Sequence, residues 1–196
     1  MKTELRRRQV VEILLKDRGG LLVVAGLGST AWDITAAGDS PLSFPLWGAM
    51  GNAAMIGLGL ALAQPSRRVL VITGDGEMLM GLGSLATIGV QQPPNLSVVV
   101  IDNERYGETG MQATHTASGA DLAKVAQACG IVSARQIFAL GEVSVLRESV
   151  HAAPGPHFAQ VKVVAEKLPL ALPPRDGSLL KSRFRKALLG EPADLD

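Results

Sequence analysis

Apolar residues follow two rhythms along this chain. Short β-branched runs without alternation occur at residues 21–25, 69–73 and 96–101, reading Leu-Leu-Val-Val-Ala, Val-Leu-Val-Ile-Thr and Leu-Ser-Val-Val-Val-Ile. Runs of this kind suit central strands of a parallel sheet covered on both faces. Residues 157–164 alternate instead and read as the last strand, near an edge. Residues 131–137 suggest a further strand, and residues 41–45, rich in proline, a loop or short edge strand. Between the strands lie helical stretches. Leu5, Val10, Val11, Ile13, Leu14 and Leu15 share one side of a first helix that Thr3 would cap and Gly19-Gly20 would end. Arg6, Arg7 and Arg8 fall on its solvated face. Residues 56–63 form a buried Gly/Ala-rich helix, residues 77–92 one Met/Leu/Ala-rich helix, and residues 121–129 and 141–150 two more. Alternating strands and helices predict an α/β fold of three layers, a mostly parallel central sheet with helices on both faces. The composition changes at Leu168. Residues 1–167 make one domain, and residues 168–196 a Pro-rich linker followed by a helix from Gly177 with a basic, solvated face.

Two of the apolar runs end in polar clusters. Gly74-Asp75-Gly76 follows the strand at 69–73, and Asp102-Asn103 follows the strand at 96–101. In parallel sheets ligands sit beyond the carboxyl ends of the strands, so Asp75 and Asn103 are expected to meet in space. A carboxylate and an amide oxygen are hard ligands that suit Mg²⁺, which keeps positions for water and a substrate phosphate. Gly74 and Gly76 let the backbone approach a bulky anion, and the helix that follows offers free N–H groups to it. A rival pattern lies at Gly26-x-Gly28-x-x-Ala31, which after a strand fits the dinucleotide fingerprint. That fingerprint requires a second strand ending in an acid, and residues 41–45 supply none.

Gly74-Asp75-Gly76, a helix, a strand, then Asn103 with Tyr106-Gly107 behind it resembles the signature of thiamine-diphosphate-dependent enzymes. The resemblance is to their diphosphate-binding domain and covers residues 16–164. It implies thiamine diphosphate and Mg²⁺ as cofactors, with Asp75, Asn103 and the Arg105 carbonyl on the metal. Gly28, Ser29, Gly74, Gly76, Glu77 and Tyr106 would surround the cofactor, the backbone N–H of Glu77 being its contact. The stretch Trp47-Gly48-Ala49-Met50-Gly51 resembles the turn in which the Gly48 carbonyl accepts from the aminopyrimidine and Met50 wedges under the bent cofactor. After Gly107 comes a polar loop whose titratable side chains, Glu108 and His115, are candidates for proton transfer or substrate binding. The family's catalytic Glu belongs to a separate pyrimidine-binding domain, and nothing here resembles its setting. The chain therefore looks like half of an active site in a homo- or hetero-oligomer, completed by an α-type subunit. Residues 50–63 and 83–89 resemble most the β subunit of sulfopyruvate decarboxylase and the C-terminal part of phosphonopyruvate decarboxylase. That implies decarboxylation of an anionic 2-oxo acid. A carboligase half of acetolactate-synthase type, or a cofactor-binding module without catalysis, are the alternatives.

Composition narrows this further. At 47% apolar the chain can build a sizeable core, while aromatics at 4% and a formal charge of +1 offer no footprint for nucleic acid or an anionic membrane. Cys129 is the only cysteine, which excludes an internal disulfide and a cysteine metal site. With no signal-peptide pattern and no apolar run long enough to span a bilayer, a cytoplasmic protein is expected.

Overall fold

The computed structural model describes residues 3–190. Strands β1 (Leu22–Ala25), β2 (Ser43–Pro45), β3 (Val69–Gly74), β4 (Leu96–Asp102), β7 (Ser133–Ile137) and β8 (His157–Lys162) form one sheet in the order β2-β1-β3-β4-β8-β7. Every pairing in it is parallel. A separate two-residue hairpin, β5 (Arg105–Tyr106) with β6 (Gln112–Ala113), stands beyond the end of β4.

The strands are apolar on both sides because both sides are covered. Val23, Leu70, Ile72, Val99 and Val161 face helices α1 (Arg7–Leu15), α2 (Ser29–Ala36) and α7 (Leu140–Ala152). Val24, Val71, Val98, Val100 and Phe158 face α3 (Ala53–Ala63), α5 (Ser84–Gln91) and α6 (Leu122–Ala128). Alternate residues thus enter two cores, as the pleat requires. Gly57 sets the spacing of α3, since a Cβ there would lie 2.1 Å from Val71 Cγ2.

Several expectations need correction. The helix expected over 77–92 is two, α4 (Asp75–Met80) and α5. It breaks at Gly81, whose Cβ position is taken by the Gly51 carbonyl oxygen at 2.0 Å. Met80, beside this break, is 67% exposed. The last strand in sequence, β8, does lie next to the edge, as expected, but it is paired on both sides and β7 is the edge itself. Its alternation reflects buried polar residues, for Gln160 donates to Asp102 and His157 Nδ1 lies 2.8 Å from Ser133 Oγ. Thr3 does not cap α1; its hydroxyl donates to the Lys162 carbonyl at 2.9 Å and anchors the amino-terminal segment to β8. Of the three arginines expected on a solvated face, Arg6 is exposed, but Arg7 and Arg8 are turned inward. Arg7 is 3% exposed, and both Arg7 and Arg8 bind the buried carboxylate of Asp33.

The carboxy-terminal helix, α8 (Gly177–Leu189), returns to the sheet. It buries Leu180 and Phe184, and the Phe184 ring packs 5.4 Å from that of Phe44 on the edge strand β2. Arg183 pairs with Asp39, and the Arg175 guanidinium lies over the Trp47 ring. No helix among the described residues is long and apolar enough to cross a membrane.

Candidate active site

The parallel register brings Gly74 of β3 opposite Ile101 of β4, so the two polar strand ends emerge side by side. Asp75, Gly76, Glu77, Asn103, Arg105 and Tyr106 all line one cavity of about 160 Å³. Leu27 and Ser29 close it from the end of β1, Met50 from the turn before α3, and Glu108 from the hairpin loop. The convergence expected of Asp75 and Asn103 is present, at the carboxyl edge of the three central strands.

Asp75 is 2% exposed. Thr114 Oγ1 donates to its Oδ2 at 2.5 Å, and Thr116 Oγ1 lies 3.2 Å from the same oxygen and 2.8 Å from Asp102 Oδ1. Both threonines engage Oδ2 alone. Burial and the nearby Asp102 carboxylate push the Asp75 carboxyl up to about 6. Two carboxylates bridged by one hydroxyl are a destabilised arrangement that a cation would relieve. Asp102 itself is fully buried and held by Gln160 Nε2 at 2.6 Å and Lys162 Nζ at 3.0 Å. Burial opposes the Lys162 charge, but Glu104 and Asp102 outweigh it and raise its pKa. Asn103 Oδ1 accepts the amide of Arg105 at 2.9 Å, which fixes the side chain beside Asp75. Among the described residues no three His, Cys, Asp or Glu side chains form a metal-binding group. A cation here would take one carboxylate with amide and carbonyl oxygens, a hard, sparse set that fits Mg²⁺ with retained water.

Glu77 is turned away from the cavity mouth. A Cβ at Gly26 would fall 1.8 Å from Glu77 Oε2, so the glycine expected of a dinucleotide loop serves to admit this carboxyl group. The amides of Leu27, Gly51 and Ala53 and the Thr73 hydroxyl approach it, yet neither carboxyl oxygen closes an ordinary hydrogen bond. Burial raises its pKa. Gly28 has φ +72°, and a Cβ there would lie 3.0 Å from Glu108 Oε1. The hairpin loop therefore reaches across the cleft to the β1–α2 turn. Tyr106 lies over Gly76, where a Cβ would meet the ring at 2.5 Å. Ala49, Glu104 and Met111 all adopt positive φ around this rim. Strain of that kind collects at functional sites.

Other expected residues fall elsewhere. Gly48 is exposed on the bend before Met50 and does not line the cavity. His115 is exposed on a 3-10 turn, His115–Ser118, and the fold does not bring it into the cleft. Sequence reasoning passed over Thr114, Thr116 and Asp102 as site residues. The spacing Thr-x-Thr after the Asn103 loop, beside a strand-terminal acid, was the available signal.

Residues 29–161 match the family described as "Thiamine pyrophosphate enzyme, C-terminal TPP binding domain". Sulfopyruvate decarboxylase subunit beta of Methanothermobacter thermautotrophicus is 39% identical over 173 residues, covering 88% of this chain and 90% of that one. Phosphonopyruvate decarboxylase of Streptomyces viridochromogenes is 37% identical over 172 residues, which are 87% of this chain but 43% of that protein. Among solved structures, benzoylformate decarboxylase from Polynucleobacter necessarius superposes with a TM-score of 0.69 at 20% identity, covering 85% of this chain and 34% of that one. The chain belongs to the thiamine pyrophosphate enzymes and carries their C-terminal, cofactor-binding domain.

Proposed function

We propose that this chain is the diphosphate-binding subunit of a thiamine-diphosphate-dependent decarboxylase acting on a 2-oxo acid with a second anionic group. The observation that carries the reading is the meeting of Asp75 and Asn103 in one cavity, with Asp75 Oδ2 tied back by two threonines. Asp75, Asn103 and the Arg105 carbonyl would hold Mg²⁺. The N–H groups of Gly76 and Glu77, with Gly28 and Ser29, would hold the diphosphate, aided by the start of α4. Bound thiamine diphosphate supplies a carbanion at its thiazolium carbon and an electron sink for the departing CO₂. The chain's own residues orient and shield. Met50, which lines the cavity, would support the cofactor, and the Gly48 carbonyl, just outside it, would accept from the exocyclic amine. Tyr106 and Glu108, on the hairpin loop, exclude water. Burial raises the Glu108 pKa while Arg7 lowers it.

Residues 1–167 constitute this half-site, and residues 168–190 an arm laid back on β2. A pyrimidine-binding partner supplies the remaining wall and the activating carboxylate, an arrangement supported by the 43% coverage of the longer phosphonopyruvate enzyme. The test is assembly with that partner, thiamine diphosphate and Mg²⁺, followed by a screen for CO₂ release over 2-oxo acids. Release from sulfopyruvate or phosphonopyruvate is the expected result. A carboligation product accompanying the CO₂ in place of the free aldehyde, or cofactor binding without turnover in the assembled complex, would contradict it.

A further inference from the structure

Arg7 is the buried cation of this region. Its Nη1 bonds the Ser29 carbonyl at 3.2 Å and Asp33 Oδ2 at 2.5 Å, which locks α1 to the first turns of α2. Arg8 Nε bonds the other oxygen of Asp33 at 3.1 Å, and its Nη2 turns outward to the Pro169 carbonyl. Two guanidinium groups on one carboxylate leave one positive charge in excess. Arg7, not Arg8, lines the cavity that holds Asp75. It also lines a second cavity of about 260 Å³ behind the hairpin loop, which shares Ser29, Asn103 and Glu108 with the first. The other cations at these two cavities, Arg105 and Lys167, are half-exposed and exposed. Two acids line the second cavity: Glu166, which is paired with Arg6, and Glu108, which packs on Gly28 and feels the field of Arg7.

Building on the decarboxylase reading, we propose that Arg7 is the specificity-determining residue that recognises the sulfonate or phosphonate of the substrate. The chemistry separates the two anions of such an acid. The carboxylate leaves as CO₂, so a cation held on it would stabilise the ground state more than the transition state. The second anion is a spectator that keeps its charge throughout. A fixed guanidinium there contributes uniform binding, whose loss appears in KM rather than kcat. Asp33 positions the group, and its planar fork suits a tetrahedral oxyanion.

The same fork would suit the terminal phosphate of the cofactor, and the test separates the two. Arg7→Gln alone would leave Asp33 short of a partner, so the double variant Arg7→Gln/Asp33→Asn removes both charges together, and Arg7→Lys keeps the charge without the fork. Each is assembled with the partner subunit, thiamine diphosphate and Mg²⁺, and assayed on sulfopyruvate and on pyruvate. In the double variant the ratio of kcat/KM for sulfopyruvate over pyruvate falls about 30-fold, carried by KM, with the lysine variant in between. An equal loss on both acids overturns the proposal. So does a rise in the half-saturating thiamine diphosphate concentration with the ratio intact, which would assign Arg7 to the diphosphate. Should the wild-type complex release CO₂ from no 2-oxo acid, the decarboxylase reading fails by itself. Calorimetric titration of that complex with phosphonoacetate then decides Arg7: binding lost in the double variant upholds the anion site, and no binding to wild type ends it.

Discussion

The two ends of the same sheet are built to opposite standards. At the amino end, polar groups close their hydrogen bonds within the chain. Asn95 Nδ2 alone reaches the carbonyls of Ala61, Gln64 and Arg67 at 3.0, 3.0 and 2.8 Å. Arg67 caps the Gly20 carbonyl, Arg68 those of Ala152 and Ala153, and Arg18 those of Leu21 and Leu42. Arg18 Nε is the orphan there among the described residues. At the carboxyl end, both oxygens of Glu77 and the Thr73 hydroxyl are buried without a partner, and Asp75 is crowded against Asp102. Of the five non-glycine residues with positive φ among the described residues, Ala49, Glu104 and Met111 lie at that end and Asp17 and Gln92 at the other. Buried groups of this kind are destabilising. One end of the sheet secures the fold, and the other is completed by what binds there.

Asp75→Asn should sharpen this contrast most. Mg²⁺-dependent affinity for thiamine diphosphate should fall by more than about 100-fold, beyond the loss typical of an outer-shell partner, while the thermal midpoint of the metal-free chain should rise. Calorimetry and a melting curve measure the two, and a fall in both would break the contrast. At the other end, Asn95→Ala should cost about 2–3 kcal/mol in urea unfolding, since the carbonyls of Ala61 and Arg67 lose the amide's two hydrogens while that of Gln64 keeps the Arg67 amide, with no change in cofactor affinity. Thr116→Val, which removes the hydroxyl between the two carboxylates, should weaken Mg²⁺ about tenfold.

The pH dependence follows from Asp75. Its carboxyl is raised to about 6 in the folded chain, above its ordinary value, so the folded state holds the proton more tightly than the unfolded one. Its contribution to the stability of the metal-free protein is present at low pH, declines as pH rises from about 4 through 6, and is flat above. Urea midpoints of wild type minus those of Asp75→Asn at pH 5 and 7.5 isolate it. Mg²⁺ needs the ionised carboxylate, so its own stabilisation should grow over the same interval. The smallest effect is expected from Glu77→Gln, which should stabilise the metal-free chain by about 1 kcal/mol or less.

The central strands were readable because apolar content alone marks a strand covered on both faces, and the Gly74-Asp75-Gly76 and Asn103 tips followed from their ends. What stayed hidden were interactions between distant segments. Nothing local to Arg7 distinguishes it from Arg6; only the docking of α1 on α2 sets it against Asp33. Nothing local to Gly26 announces that Glu77 will occupy its Cβ space, and the spacing instead imitates a nucleotide fingerprint. The break at Gly81 depends on Gly51, some thirty residues earlier in the chain. The place of β8 beside the edge was legible, but not the burial of Gln160 and His157, which their hydrogen bonds allow and which periodicity reads as exposure.

Phosphorus hyperfine coupling to Mn²⁺, substituted for Mg²⁺ in the complex assembled with thiamine diphosphate, is the decisive quantity. Wild type should give a ³¹P electron–nuclear double resonance signal from a diphosphate oxygen on the metal, and Asp75→Asn should lose it at the same metal and cofactor concentrations. An unchanged signal in the variant would mean that the cation is held elsewhere and that the meeting of the β3 and β4 tips is not the metal site.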